Sequence, residues 1–321
     1  MFRRSLALVS IIGASLAAQS PVREVTLADF RPRRPVPIFD KGYLIQPDES
    51  RATISVYGPD GSLLYETDVL APDGTAAHAR NGAVDSDGTV AIPIWYGKRG
   101  NYRGGIIFLD PGGRQVRFLE TGYYHPSALC FGPDHSLWAI GDQRRPVDIQ
   151  DSADYPQVRR YSTEWKETGR FLPRSLFPPG LSPFGDGISR VWALSDRIGI
   201  LGYPGKVSDH PEWVELDLEG KLIGRWKLGP TYTSSRHVME GGFAFMAGGV
   251  LFARPLTLKP EIRVAQLMVF DKMTSTWKLV TSAAPQCVEG LLLGADGDKL
   301  VCEKYGAEGV HLFLVPPGGS L

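Results

Sequence analysis

The side chains that could do chemistry are few and far apart in the chain: Arg80 and Asn81, His125, Asp186, His237 beside Glu240, and Glu289. They offer carboxylates, an amide, imidazoles and a guanidinium, and none sits in a motif that performs a reaction by itself. The chain has no nucleophile elbow, phosphate loop, CxxC pair or HExxH helix. Such groups act only by convergence. Gathered round a common axis, their oxygens could hold Ca²⁺, which takes roughly six to eight oxygen donors, carboxylates and amide carbonyls among them. The same set could instead receive a small organic ligand or a protein segment. Either use needs a scaffold that brings distant positions to one place.

The spacing of short apolar runs supplies that scaffold. His125 to Asp142 reads as an apolar run, a Gly-Pro-Asp-His turn, a second apolar run and Gly-Asp, an inner hairpin buried on both faces. Variants recur at Val36 to Ile45, Gly82 to Ile94, Val191 to Tyr203, Gly241 to Ala253 and Gly290 to Lys304. Between them stand outer hairpins whose strands alternate with charges: Ile54 to Thr67, Gly105 to Leu119, Val158 to Phe171, Trp213 to Leu228 and Leu267 to Val280. The outer turns centre near 60, 112, 165, 219 and 274, successive gaps of 52 to 55. A period this even, with four short strands per unit, predicts an all-β radial repeat, a six-bladed β-propeller of four-stranded antiparallel blades. The sixth unit is short of one strand. Val22 to Leu27 is the spare strand that can complete it, so the ring is expected to be closed by the N-terminal strand.

Met1 to Arg4 is a basic start, Leu6 to Ala14 an apolar run, and Ser15 to Gln19 carries small residues, the pattern of a cleavable signal peptide. Residues 1–18 are therefore expected to be the leader and 19–321 a single propeller domain, secreted or periplasmic and monomeric, with no membrane span once the leader is removed. Lys plus Arg equals Asp plus Glu at 35 each, so no net field recruits nucleic acid. Cys130, Cys287 and Cys302 are an odd number. A turn at Asp296-Gly297 sets Cys302 opposite Leu291 and leaves Cys287 about 13 Å along the strand, so all three are expected to be buried small hydrophobes.

His125-Pro126-Ser127-Ala128-Leu129, with Gly132-Pro133-Asp134 and Leu137-Trp138-Ala139, resembles an NHL-type repeat. Asn81-Gly82 with Ser86-Asp87-Gly88, and Glu289-Gly290 with Ala295-Asp296-Gly297, resemble inner hairpins of the wider six-bladed group that includes gluconolactonase and paraoxonase-like hydrolases. The resemblance spans most of residues 31 to 315. It implies that Asn81, Glu240 and Glu289 are metal ligands polarising an ester or lactone carbonyl, with a carboxylate or His125 as general base. Arg33, Arg34, Arg80 and Arg236 fall near the same rim, where they would turn those carboxylates into a network of buried ion pairs. His125 before Pro126 can equally serve to set the turn. Trp95, Trp138, Trp192 and Trp213 are expected to pack between blades, and Tyr102, Tyr123 and Tyr124 to form a ligand-facing aromatic patch. The loops 143–157 and 172–186 are further places for a partner. Two functions stay open: a ligand-binding or protein-interaction scaffold without turnover, and a Ca²⁺-dependent hydrolase or a lyase acting at the channel mouth.

Overall fold

The computed structural model describes residues 23–27, 37–48, 50–80, 82–98, 101–143, 154–177, 189–202, 211–228, 244–253, 267–280, 291–306 and 309–315. After β1 (Arg23–Leu27), blade one is β2 (Ile38–Asp40), β3 (Tyr43–Asp48), β4 (Thr53–Tyr57) and β5 (Leu63–Asp68). Blade two splits its inner strand into β6 (His78–Ala79) and β7 (Ala83–Val84), both paired with β8 (Val90–Lys98), and adds β9 (Asn101–Leu109) and β10 (Gln115–Gly122). Blade three is β11 (Tyr124–Phe131), β12 (Leu137–Gln143), β13 (Pro156–Tyr161) and β14 (Glu167–Pro173). Blade four is β15 (Arg190–Ala193), β16 (Arg197–Gly202), β17 (Glu212–Asp217) and β18 (Leu222–Lys227). Blade five is β19 (Ala244–Ala247), β20 (Val250–Ala253), β21 (Met268–Asp271) and β22 (Thr276–Leu279). Blade six is β23 (Leu291–Asp296), β24 (Lys299–Gly306), β25 (Gly309–Val315) and, on its outer edge, β1.

β1 lies antiparallel to β25, from Arg23 against Leu314 to Leu27 against Val310. It covers the edge that β25 would otherwise leave open, as the spacing of the repeats predicts. The fit is close. Gly61, in the outer turn of blade one, has φ +85°, and a Cβ there would stand 2.5 Å from Val25 Cγ1.

The core is six wedges, one between each pair of adjacent blades. Ile45, Ile54 and Val56 pack on Val84, Ile92 and Ile107 between blades one and two. Val25 and Leu27 join Val301, Leu312, Leu44 and Tyr57 between blades six and one, so the wedge that closes the ring includes the N-terminal strand. The inner strand β11 is buried throughout, while the outermost strands β5 and β18 expose alternate residues. Trp138 and Trp213 are fully buried, and Trp138 stacks on Phe171 at 5.4 Å. The turns are set by aspartates whose carboxylates accept the N–H two residues on, Asp60 from Ser62 at 3.0 Å and Asp134 from Ser136 at 3.1 Å.

The cysteines depart from expectation. Cys302 is disulfide-bonded and Cys130 is a free thiol, which leaves Cys287 as the sequence's one other cysteine, outside the described residues. Extrapolating a straight strand back to Cys287 is what fails. β23 begins at Leu291, and a bulge between Leu292 and Gly294 sets Cys302 opposite Leu292, so strand rise does not measure the distance to residue 287. Among the described residues no helix is long and apolar enough to cross a membrane.

Candidate functional site

The innermost strands of all six blades enclose a channel of about 480 Å³. Its walls carry Ile38, Phe39, Phe131, Trp192, Phe245 and Met246, an apolar and aromatic lining. Its two ends differ in construction. The connection end is where the chain arrives from the preceding blade and starts an inner strand; the turn end is where that strand turns back on its neighbour.

Of the residues singled out from sequence, Arg80 and His125 are described and lie at the connection end. Asn81, Asp186, His237, Glu240 and Glu289 fall outside the described residues, as do Arg33, Arg34 and Arg236. The tentative metal set of Asn81, Glu240 and Glu289 therefore has no described geometry. Arg80 and His125 are described, and one aromatic ring joins them. The Arg80 guanidinium lies 4.3 Å from the centroid of Trp95, and the His125 ring lies 5.6 Å from that same indole. Arg80 stands in the break between β6 and β7, where its N–H donates to Pro93 O at 2.9 Å. His125 is 1% exposed, with Nε2 3.1 Å from Tyr102 O. The cluster thus ties blade two to blade three.

The expected aromatic patch is divided. Tyr124 belongs to the core, 1% exposed, its hydroxyl 2.8 Å from Ala139 O and 3.0 Å from Gln157 O. Burial pushes that hydroxyl's pKa well above the ordinary value. Sequence reasoning misplaces it because three neighbouring aromatics read as a surface cluster, whereas the start of β11 turns Tyr124 inward. Tyr102 and Tyr123 stay half-buried, and Arg103 stacks on Tyr123 at 4.6 Å.

The turn end was missed from sequence. Asp40 closes β2 and Asp296 closes β23, and both line the channel with Lys41. Each carboxylate is seated on the backbone of the next blade: Asp40 Oδ2 accepts the Val84 N–H at 2.7 Å, and Asp296 accepts backbone N–H groups of Lys41 and Gly42. Lys41 Nζ donates to Val84 O at 2.7 Å, stands 3.8 Å from Asp85 and lies 5.5 Å from the Phe131 centroid. Asp85 in turn meets His135 Nδ1 at 2.9 Å. Burial, with help from the charges of Asp296 and Asp85, raises the Asp40 carboxyl to about 6, against the opposing pull of the Val84 amide and Lys41. Burial is also the largest cause of the upward shift at Asp296.

Asp40-Lys41-Gly42 and Ala295-Asp296-Gly297 read from sequence only as turn chemistry. One signal could have marked this end. Where the inner turns of blades two and six carry Gly after Asp, at Gly88 and Gly297, blade three has His135, at φ +62°, a conformation that costs a non-glycine residue about 1 kcal/mol.

The described groups at this end offer recognition chemistry. Cys130 in the channel wall is kept protonated: burial pushes its thiol pKa far up, and the negative charge of Asp40 adds to the shift. The carboxyls of Asp40 and Asp296 can accept hydrogen bonds from a ligand, or pair with its charge. Among the described residues no group of three or more His, Cys, Asp and Glu is arranged to hold a metal ion.

Six four-stranded blades round one channel define a six-bladed β-propeller. No family model matches the chain, and no curated protein matches it either. Among solved structures it is similar to a candidate gluconolactonase, at 13% identity over 94% of this chain and 96% of that one, with a TM-score of 0.47. It is also similar to a protein of unknown function from Bacteroides caccae, at 10% identity over 78% and 77% of the chains, TM-score 0.46. A third is the β-propeller domain of the Trilobed protease from Pyrococcus furiosus, at 9% identity over 75% and 68%, TM-score 0.45. Likeness at this level leaves function to the site.

Proposed function

We propose that this protein is an exported propeller that binds a small organic molecule in its central channel without turning it over. The observation that carries the reading is the channel itself: about 480 Å³, aromatic and aliphatic on its walls, with a few polar groups gathered at its ends. That is the usual make-up of a small-molecule pocket. The disulfide at Cys302 favours an oxidising compartment, and with the leader expected at residues 1–18 it supports a secreted or periplasmic location.

Two measurements on the purified full chain test this. First, titration with 3-phenylpropan-1-ol, a neutral probe sized for the channel, should give saturable heat and a shift in Trp192 fluorescence that Trp192→Phe removes. Absence of both would end the channel reading. Second, metal content and Tm should be the same with EGTA or added Ca²⁺. Bound Ca²⁺, with Tm and esterase activity lost both on chelation and in Glu289→Gln, would replace the scaffold reading with the hydrolase one.

A further inference from the structure

With the channel as the binding site, the chemical class of its ligand is still open, and any assignment of that class rests on the channel reading. At the turn end the channel is lined by the carboxyls of Asp40 and Asp296 and by Lys41, with Asp85 behind Lys41, and Lys299 and Arg23 act on Asp296 from outside the lining. Lys41 is spent elsewhere: its Nζ donates to Val84 O, its nearest carboxylate is Asp85, and it lies over Phe131. The carboxyls of Asp40 and Asp296 are held by backbone N–H groups of the neighbouring blade, and among the described residues no side-chain cation stands within ion-pair distance of either. They are anchored in position by backbone N–H groups, and the cations that influence them, Lys41, Lys299 and Arg23, stand beyond ion-pair distance.

The rest of the channel favours the same kind of guest. Phe39, Phe131, Trp192 and Phe245 supply π faces, which attract cations and pack against apolar bodies. The Lys41 ammonium over Phe131 is an example of that contact at the mouth itself. A carboxylate head at the turn end would meet the carboxyls of Asp40 and Asp296.

We propose that the channel takes an organic ammonium, a protonated aliphatic amine on an apolar or aromatic body, with its N–H groups donated to Asp40 and Asp296. Charge-assisted bonds of this kind are worth about tenfold or more in affinity each. The pairing needs Asp40 ionised. The groups facing Asp40 are Lys41 beside it, Asp296 from blade six, Asp85 and the Val84 amide from blade two with His135 beyond, and the protonated Cys130 thiol from blade three. Together they leave the Asp40 carboxyl at about 6, so ammonium binding weakens as pH falls from 7.5 to 5.

Calorimetry on the full chain with three probes sharing one phenyl body and a three-methylene spacer tests this: 3-phenylpropylammonium, 3-phenylpropan-1-ol and 4-phenylbutanoate. The ammonium should bind about tenfold or more tighter than the alcohol at pH 7.5, with the carboxylate weakest. Asp40→Asn and Asp296→Asn should each erase the ammonium's advantage over the alcohol, and a cooperative thermal melt certifies that the variants fold. Wild type should lose the advantage between pH 7.5 and 5. If the alcohol or the carboxylate binds as tightly as the ammonium, the ammonium assignment is wrong although the channel reading survives. If none of the three binds, both fail. The wild-type series alone decides, should either variant not fold.

Discussion

The two ends of the channel are built from the same six strands, yet they behave as different materials. At the connection end the described residues form a packed knot: Arg80 on Trp95, Trp95 on His125, His125 on the Tyr102 carbonyl. At the turn end short turns place a carboxylate against the next blade's backbone, Asp296 on Lys41 and Gly42, Asp40 on Val84. Connections between blades vary in length along the sequence, so no common turn geometry is imposed on them. A tight turn has few conformations, so its aspartate arrives at nearly the same place in successive blades. That regularity lets carboxyls converge without any motif to announce them.

The largest expected effect breaks both ends at once. Leu27 is 1% exposed in the wedge between blades six and one, and Leu27→Asp would bury an unpaired charge there. A loss of about 3–5 kcal/mol is expected, lowering Tm by roughly 10 °C or more and abolishing binding of the phenylpropyl probes. Differential scanning calorimetry reads it directly. A Tm within a degree of wild type would mean that β1 does not hold the ring.

Next comes a test of the connection end alone. His125→Ala removes a buried ring and its bond to Tyr102 O, at a cost of about 2–3 kcal/mol. Affinity for 3-phenylpropylammonium should stay within about twofold of wild type. A specific loss of affinity in a folded variant would join the two ends functionally and erase the contrast between them.

A smaller effect isolates the turn end by pH. The folded Asp40 carboxyl, at about 6, lies above its ordinary 3.8, so the folded chain takes up a proton there more readily than the unfolded chain. Asp40 therefore costs stability above pH 6, and that cost fades as pH falls between 6 and 4. Asp40→Asn should raise Tm at pH 8, with the gain shrinking to nothing at pH 4. The same variant loses ammonium selectivity, a trade of stability for function. An equal Tm gain at both pH values would assign it to something other than the charge.

The smallest change is expected at His135. His135→Gly relieves a backbone at φ +62° and gives up the exposed contact with Asp85, opposing effects of about 1 kcal/mol each. Tm should move by no more than a few degrees, with binding of the three probes unchanged. A large loss would mean that the tie between blades two and three carries more of the fold than its exposure suggests.

Blade number, the pairing of hairpins and ring closure were all legible in the residues, because each rests on local chemistry. Asp-Gly turns, apolar runs and a spare strand at Val22 to Leu27 each constrain a few neighbouring residues, and repetition does the rest. The disulfide at Cys302 was not legible, since a strand that begins at Leu291 offers no straight rule back to Cys287. Nor was the burial of Tyr124, whose neighbour Tyr123 is half-exposed. The meeting of Asp40 with Asp296 lies furthest from sequence reasoning. Each is an ordinary turn residue until blade six closes on blade one; burial then raises both carboxyls, and the charge of Asp296 adds to the shift at Asp40. Sequence determined the repeating unit and how many copies surround the axis; only the closed ring decided which charges face one another across it, because that proximity is a property of the circle and of no single blade.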